Sequence, residues 1–271
     1  MEKQINKIFD TREDFEAVEA FEATEVFGAL LVAIGTITAA IGSTPLQFIK
    51  SSLRQDFSLV GNVLQSVGGA VQANAFEEFE DGSLETIGNA IQSFGNISVI
   101  SGLIINFKDE TQQKLIINGN WLQALGGVAS FGEEIEKASS SNNPESSSNW
   151  LVQAMGNILQ AIGNSLQAID GIQVLKESQV ENNKDSKENE EDTNRVENEE
   201  NEDKWSLDTT GSWIQATGSI ISLIGQIKQA EEVEEQEAKE QKEQINTDKQ
   251  TEKLTNQNDW HYSSFRLVFN N

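Results

Sequence analysis

The strongest constraint on this chain is a seven-residue repeat that begins with a glycine. Residues 156–169 read GNILQAIGNSLQAI, so glycine, asparagine, leucine and glutamine recur after seven residues. On an α-helix this unit places its aliphatic residues on one arc and its Asn, Gln and Ala residues on the opposite arc, with Gly at the border. The repeat therefore predicts an amphipathic helix whose polar face carries no charge.

A glycine in every seventh position needs a compensating interaction. In a helix interior glycine costs about 1 kcal/mol relative to alanine. Close approach of a neighbouring helix backbone would offset that cost. The alternative is that each glycine breaks the pattern into short helices and turns. We favour continuous helices with glycine contacts.

Variants of this repeat occupy most of the apolar sequence. They lie at residues 26–42, 61–73, 88–105, 119–132, 149–172 and 211–227, and Asp170 takes a glycine position in the fifth. The spacing of the copies is typical of repeated helical units, and the short polar breaks between them favour antiparallel neighbours. The predicted fold is all-α, with repeated amphipathic Gly-heptad helices (G-N-x-L-Q-A-h) packed as antiparallel hairpins in a bundle or array.

The composition along the chain divides it into five predicted regions. Residues 176–204 hold no aromatic and almost no apolar residue, so they cannot repay the entropy of ordering. The regions are an acidic N-terminal helix at 1–25, the repetitive helical domain at 26–175, a disordered acidic insert at 176–206, the last repeat with a charged helix at 207–246, and a tail at 247–271. The β-prone end of the tail could dock on the bundle or form a contact strand.

Two features allow either a soluble or a membrane interpretation. The amide faces of the helices could contact water, or they could line a pore or a helix–helix seam; we favour contact with water. Trp121, Trp150 and Trp213 recur near the start of their copies. They could be packing residues or membrane-interface anchors, and we favour packing.

Residues 26–42 are the most apolar stretch, and the charge-free run continues to Ile49, which makes it about long enough to span a bilayer. A transmembrane helix and a buried central helix are both compatible with it. The flanking residues do not decide, because Glu22 and Glu25 precede the stretch and Lys50 and Arg54 follow it.

The composition excludes several functional classes. The net charge of -25 argues against binding the phosphate backbone of a nucleic acid. There is no cysteine, and His261 is the only histidine, so neither a thiolate or multi-histidine metal site nor a His-based triad can be assembled. The glycines form no phosphate-binding loop. We therefore predict no catalytic, cofactor-binding or metal-binding residues, no cofactor, no small-molecule substrate and no enzymatic activity.

The segments GNVLQSVG, GNWLQALG, GNILQAIG and GSWIQATG carry a resemblance to a known group of proteins. Over residues 26–227 the chain resembles a group of repetitive proteins from spore-forming Gram-positive bacteria. The resemblance rests on the repeat alone and implies a bacterial, intracellular protein. That group brings no assigned activity or functional residues to this chain.

These observations predict a non-enzymatic structural or interaction protein that is cytoplasmic and could self-associate through its helix faces. The alternative is a membrane-associated protein, anchored through residues 26–49 or by its apolar helix faces.

Overall fold

A computed structural model describes the backbone of residues 2–79, 83–185 and 206–268. These residues form six α-helices and no strand. The helices are α1 (Glu2–Ser43), α2 (Ser51–Phe79), α3 (Leu84–Ile104), α4 (Asp109–Ser140), α5 (Pro144–Asp185) and α6 (Leu207–Val268). The predicted all-α class is confirmed.

The helices run across several of the predicted region boundaries. Helix α1 continues through residue 25, and α5 extends to Asp185, inside the range predicted as an acidic insert. Residues 186–205 of that range lie outside the described residues. Helix α6 extends to Val268, so the described part of the predicted tail is helical and contains no contact strand.

The chain divides into two units, one of residues 17–229 and one of residues 1–16 with 230–271. The smaller unit has a helical backbone over its described residues, and its exposed Lys239 and Glu235 form an i,i+4 ion pair at 3.4 Å. The larger unit, here called the bundle, holds every copy of the repeat.

Serine side chains cap two bundle helices at their first turns. Ser83 Oγ accepts the backbone N–H of Thr86 at 3.0 Å at the start of α3, and Ser206 Oγ accepts that of Thr209 at 3.1 Å at the start of α6. Such bonds satisfy backbone donors that have no partner within the helix. The helix starts at α3 and α6 are thus set by local sequence.

Within the bundle, consecutive helices pair through glycines that face each other. A β-carbon built on Gly163 of α5 would lie 2.5 Å from the Gly211 carbonyl oxygen and 2.6 Å from the Gln215 backbone nitrogen of α6. The facing pairs are Gly28–Gly68 and Gly35–Gly61 in α1 and α2, Gly88–Gly126 and Gly95–Gly119 in α3 and α4, and Gly156–Gly218 and Gly163–Gly211 in α5 and α6. In each pair of helices, the glycine seven residues further along the first helix faces the glycine seven residues earlier in the second. The two helices are therefore antiparallel.

A second set of small residues joins one hairpin to the next. Gly69 of α2 lies against Asn89 and Ser93 of α3, and Gly127 of α4 lies against Asn157 and Ala161 of α5. At the equivalent position of α6, the hydroxyls of Ser219 and Thr36 are 2.5 Å apart. The three hairpins therefore form a closed ring in which α6 returns to α1.

The helices point their amide faces inward, which corrects the prediction that these faces contact water. Asn and Gln residues of the repeat are buried on the five helices α2 to α6, and α1 buries Thr36 instead. The buried apolar residues among the described side chains are Val99, Ile117 and otherwise alanines. Helices that touch at glycine leave little space between them for large side chains, so small or hydrogen-bonding side chains fill most of the interior.

The large apolar side chains lie on the outside of the bundle instead. Ile34, in the stretch considered as a buried central helix, is 46% exposed. Two of the tryptophans are also exposed rather than packed in the interior, Trp121 at 42% and Trp213 at 36%. Exposed aliphatic or aromatic residues occur on every helix of the bundle.

We expect Gly163→Ala to destabilise the protein. The added methyl group meets backbone atoms of α6, which can move only if the helix moves. Overpacking of this kind costs about 1 to 3 kcal/mol, and the gain of about 1 kcal/mol in helix propensity offsets it only in part. Chemical denaturation of the purified protein measures the difference.

Gly132→Ala is the matched control, because a β-carbon on this helical glycine of α4 would meet nothing within 4 Å. It should be stabilising by up to about 1 kcal/mol. Equal stabilisation by both substitutions would show that α6 does not approach Gly163 closely.

Candidate functional site

A ring of three glutamines lies at the centre of the bundle. The three glutamines occupy equivalent positions in the repeat: Gln65, Gln123 and Gln215. Each lies in the second helix of its hairpin, four residues after the first repeat glycine of that helix. Gln215 Nε2 lies 2.8 Å from Gln65 Oε1 and 3.3 Å from Gln123 Oε1. Because each side chain comes from a different hairpin, these bonds, here called the glutamine ring, tie the three hairpins together on their common axis.

Two polar cavities border the glutamine ring. The amide cavity has a volume of about 20 Å³, room for about one water molecule. Gln65, Asn89, Gln92, Asn96, Asn157, Gln160, Ser219 and Gln226 are among the residues that line it. The aspartate cavity is larger, about 280 Å³, and its lining includes Gln113, Asn120, Gln167, Asp170, Asp208, Ser212 and all three ring glutamines. Gln65 borders both cavities, so the two cavities adjoin at the glutamine ring.

A cluster of charged side chains, here called the glutamate cluster, comprises Glu25, Glu85, Glu133, Glu134 and Lys137. Lys137 Nζ is 3.1 Å from both Glu85 Oε2 and Glu133 Oε1, and it lies 4.6 Å from the centroid of the Trp150 ring. Burial lowers the pKa of Lys137, but the charges of Glu85 and Glu133 outweigh it and raise that pKa above its usual value. The ammonium group therefore stays charged and holds Glu85, which is only 1% exposed.

Glu134 connects this cluster to the amide cavity. Its Oε1 accepts a hydrogen bond from Asn157 Nδ2 at 2.6 Å, and Asn157 Oδ1 accepts one from Gln160 Nε2 at 2.9 Å. Burial, and secondarily the charge of Glu85, raise the pKa of Glu134 well above its usual value. The neutral acid is therefore favoured at this position.

The aspartate cavity carries its own half-buried acid, Asp208. Burial, with a further contribution from Asp170, raises the pKa of Asp208 to about 6. Gln167, in the same cavity, donates from Nε2 to Gln215 Oε1 at 2.9 Å. Asp170, which takes a glycine position of the repeat, thus belongs to a polar chamber next to the glutamine ring.

The sequence predicted no catalytic, cofactor or metal residue, and it did not predict the glutamine ring or the glutamate cluster. Among the described residues no group of His, Cys, Asp or Glu is arranged to hold a metal ion. The side chain of His261 lies outside the described residues. One signal could have found the ring: a glutamine at the same repeat position in GNVLQ, GNWLQ and GSWIQ.

Lys137→Met should destabilise the bundle strongly, because it leaves the Glu85 carboxylate buried without its cation. Breaking a buried pair in this way costs about 3 to 5 kcal/mol. Lys114→Met is the control, since Lys114 forms an exposed i,i+4 pair with Glu110 at 2.6 Å. Exposed pairs of this kind contribute little to stability, because water and salt screen the two charges. Similar denaturation midpoints for both variants would contradict this role of Lys137.

Asp208→Asn should change how stability depends on pH. A raised pKa in the folded state means that the stability contributed by Asp208 is complete below its unfolded pKa of about 3.9 and is lost as the pH rises through about 6. The variant should therefore melt at a higher temperature than the parent at neutral pH, and the difference should disappear in acid. Asp56→Asn, at an exposed site, is the control. A melting difference that is the same at every pH would argue against burial of the ionised Asp208.

Residues 23–223 match the family of unknown function DUF6944. No curated protein and no solved structure matches the chain. The match spans almost the whole bundle, from the first repeat copy to the last. The chain belongs to the DUF6944 family.

Proposed function

We propose that this protein is an integral membrane protein whose bundle spans the bilayer with all six helices. The main support for this proposal is that its side chains are distributed in the opposite way to those of a water-soluble protein. Amides and small residues fill the interior, whereas large apolar residues lie outside on every helix. A water-soluble protein rarely exposes a continuous apolar surface of this extent.

The distribution of charge supports a span for each helix. Each of the six helices, with its adjoining residues, contains a run of 18 to 24 residues without Asp, Glu, Lys or Arg. The runs are 26–49, 57–76, 86–107, 115–132, 146–169 and 209–227. A bilayer core requires about 20 residues of helix, so these runs match its thickness.

By length and composition alone, one described helical stretch, Ala20–Ser43, is apolar enough to cross a membrane. The other five runs are less apolar because they contain the Asn, Gln and Ser residues that the bundle buries. Amides inside a bundle are compatible with a bilayer, since they bond to one another and do not face lipid. The average apolarity of a helix therefore understates how apolar its outer face is.

The packing mode also supports a lipid environment over the cytoplasmic alternative. Between membrane helices the hydrophobic effect gives little attraction, so association depends on small residues at close contacts and on interhelical hydrogen bonds. The glycine pairs and the glutamine ring are contacts of this kind. The exposed Trp213 lies near the start of its charge-free run, where an aromatic anchor is expected, whereas the exposed Trp121 lies near the middle of its run.

Lipid is the covering that fits this surface best. A second copy of the chain or another protein would cover one side, but the exposed apolar residues surround the bundle. We also propose that the protein is not an enzyme. Neutral amides, the main polar groups of its interior, are neither nucleophiles nor proton donors at neutral pH.

The first test is fractionation of cells that produce the full chain. The protein should remain in the membrane pellet after a carbonate wash and should require detergent for extraction. A protein that is soluble and monodisperse without detergent would disprove the proposal.

Ile34→Lys tests the outward face directly. A lysine near the middle of a membrane helix costs about 2.5 to 3.5 kcal/mol for insertion, so the variant should reach the membrane fraction poorly. Phe48→Lys, at an exposed residue near the end of the same charge-free run, should insert like the parent because its charge lies at the interface. If the bundle were soluble, both exposed positions would tolerate lysine, and the two variants would behave alike.

A further inference from the structure

We propose that the bundle axis is a path for small monovalent cations across the membrane, and that the glutamine ring closes it in this conformation. The inference rests on the proposed function, because a path requires a bundle that spans a bilayer. Three observations support it: a continuous row of polar groups along the axis, buried oxygens without a hydrogen-bond donor, and acidic groups at both ends of the axis.

The polar groups follow one another along the whole axis. From the glutamate cluster, Glu134 bonds to Asn157 and Asn157 bonds to Gln160, and both amides line the amide cavity. That cavity borders Gln65 of the glutamine ring. On the other side, Gln167 bonds to Gln215 and shares the aspartate cavity with Asp170 and Asp208.

Several oxygens along this axis lack a hydrogen-bond donor. Asn96, which is only 3% exposed, lines the amide cavity, and its Oδ1 is buried without a hydrogen-bond partner. Gln153 Oε1 and Glu134 Oε2 are likewise buried without a hydrogen-bond partner. Buried carbonyl and carboxyl oxygens need a donor, a water molecule or a cation, and such oxygens are the ligands that replace the hydration shell of a permeating cation.

The charge of the path favours cations over anions. No Lys, Arg or His is among the described residues that line either cavity. Asp170 and Asp208 lie at one end and the glutamate cluster at the other. Burial raises the pKa of Glu25 and Glu134, so the negative charge of that cluster rests on Glu85 and Glu133, which share one cation, Lys137. Rings of acidic residues at the mouths of a pore attract cations and repel anions.

The glutamine ring closes the cation path in this conformation. Gln215 Nε2 is within hydrogen-bond distance of Gln65 Oε1 and Gln123 Oε1, at 2.8 and 3.3 Å, so the three side chains meet across the axis. Removing these side chains should join the two cavities. Movement of one hairpin relative to the others would have the same effect.

The test uses the purified full chain in liposomes loaded with K⁺. The parent should release K⁺ slowly, and the triple variant Gln65→Ala, Gln123→Ala, Gln215→Ala should release it faster by on the order of tenfold or more. The control is Val60→Ala, Val67→Ala, Ile220→Ala, which trims three exposed side chains on the outer face and should match the parent. Cl⁻ and a trapped dye should be retained in every case.

A triple variant that inserts like the parent but releases K⁺ no faster would overturn the path. Release of Cl⁻ or dye together with K⁺ would also overturn it, because that result indicates damage to the bilayer. Flotation of the same liposomes separates the two proposals: a chain that does not float with lipid contradicts membrane insertion, whereas a chain that floats without K⁺ release contradicts the path alone.

A second measurement remains usable if the triple variant does not fold. The chain has no cysteine. A single cysteine introduced by substitution is therefore the one thiol that can react with a water-soluble cationic thiol reagent. Ser212→Cys, in the aspartate cavity, should react, whereas Ile220→Cys, on the outer face, should be protected by lipid. Equal protection of both positions would overturn the hydrated path.

Discussion

The close approach of helix backbones at glycine is the constraint on which the rest of the bundle depends. Where a β-carbon on Gly163 would lie 2.5 Å from the Gly211 carbonyl oxygen, no large side chain fits between the helices. Leu, Ile, Phe and Trp are therefore displaced to the outer surface. The interior is left to alanine, which fills little space, and to Asn and Gln, which can bond to each other.

This arrangement changes what stabilises the protein. In water, burial of aliphatic side chains supplies most of the driving force for folding. Here those side chains are outside, and the interior contributes close packing and hydrogen bonds between amides. That combination is stable in a lipid environment, where an unpaired amide has no water to bond with and where aliphatic side chains are already solvated. The fold and the proposed location thus have one physical cause.

The threefold repeat of hairpins is broken at the places that carry charge. Three residues before the first repeat glycine, the hairpins have Glu25, Glu85 and Gln153. Where two hairpins have Gly42 and Gly102, the third has Asp170. These departures add nothing to the glycine contacts. Gln153 replaces an acid at one end of the axis, where Glu25 and Glu85 remain, and Asp170 adds an acid at the other end, so both ends carry acidic groups.

By itself, the sequence determined the helical class, the repeat, the segments that carry charge and the two faces of each helix. Only the tertiary structure decided which face points inward. The heptad places Leu opposite Asn and Gln whichever face points inward. From the side chains alone, the prediction was that the aliphatic residues form the core. The decisive quantity is the distance between helix axes, which depends on glycines of one helix meeting glycines of another. That distance excludes Ile34 from the interior and brings Gln65, Gln123 and Gln215 together from positions far apart in the chain.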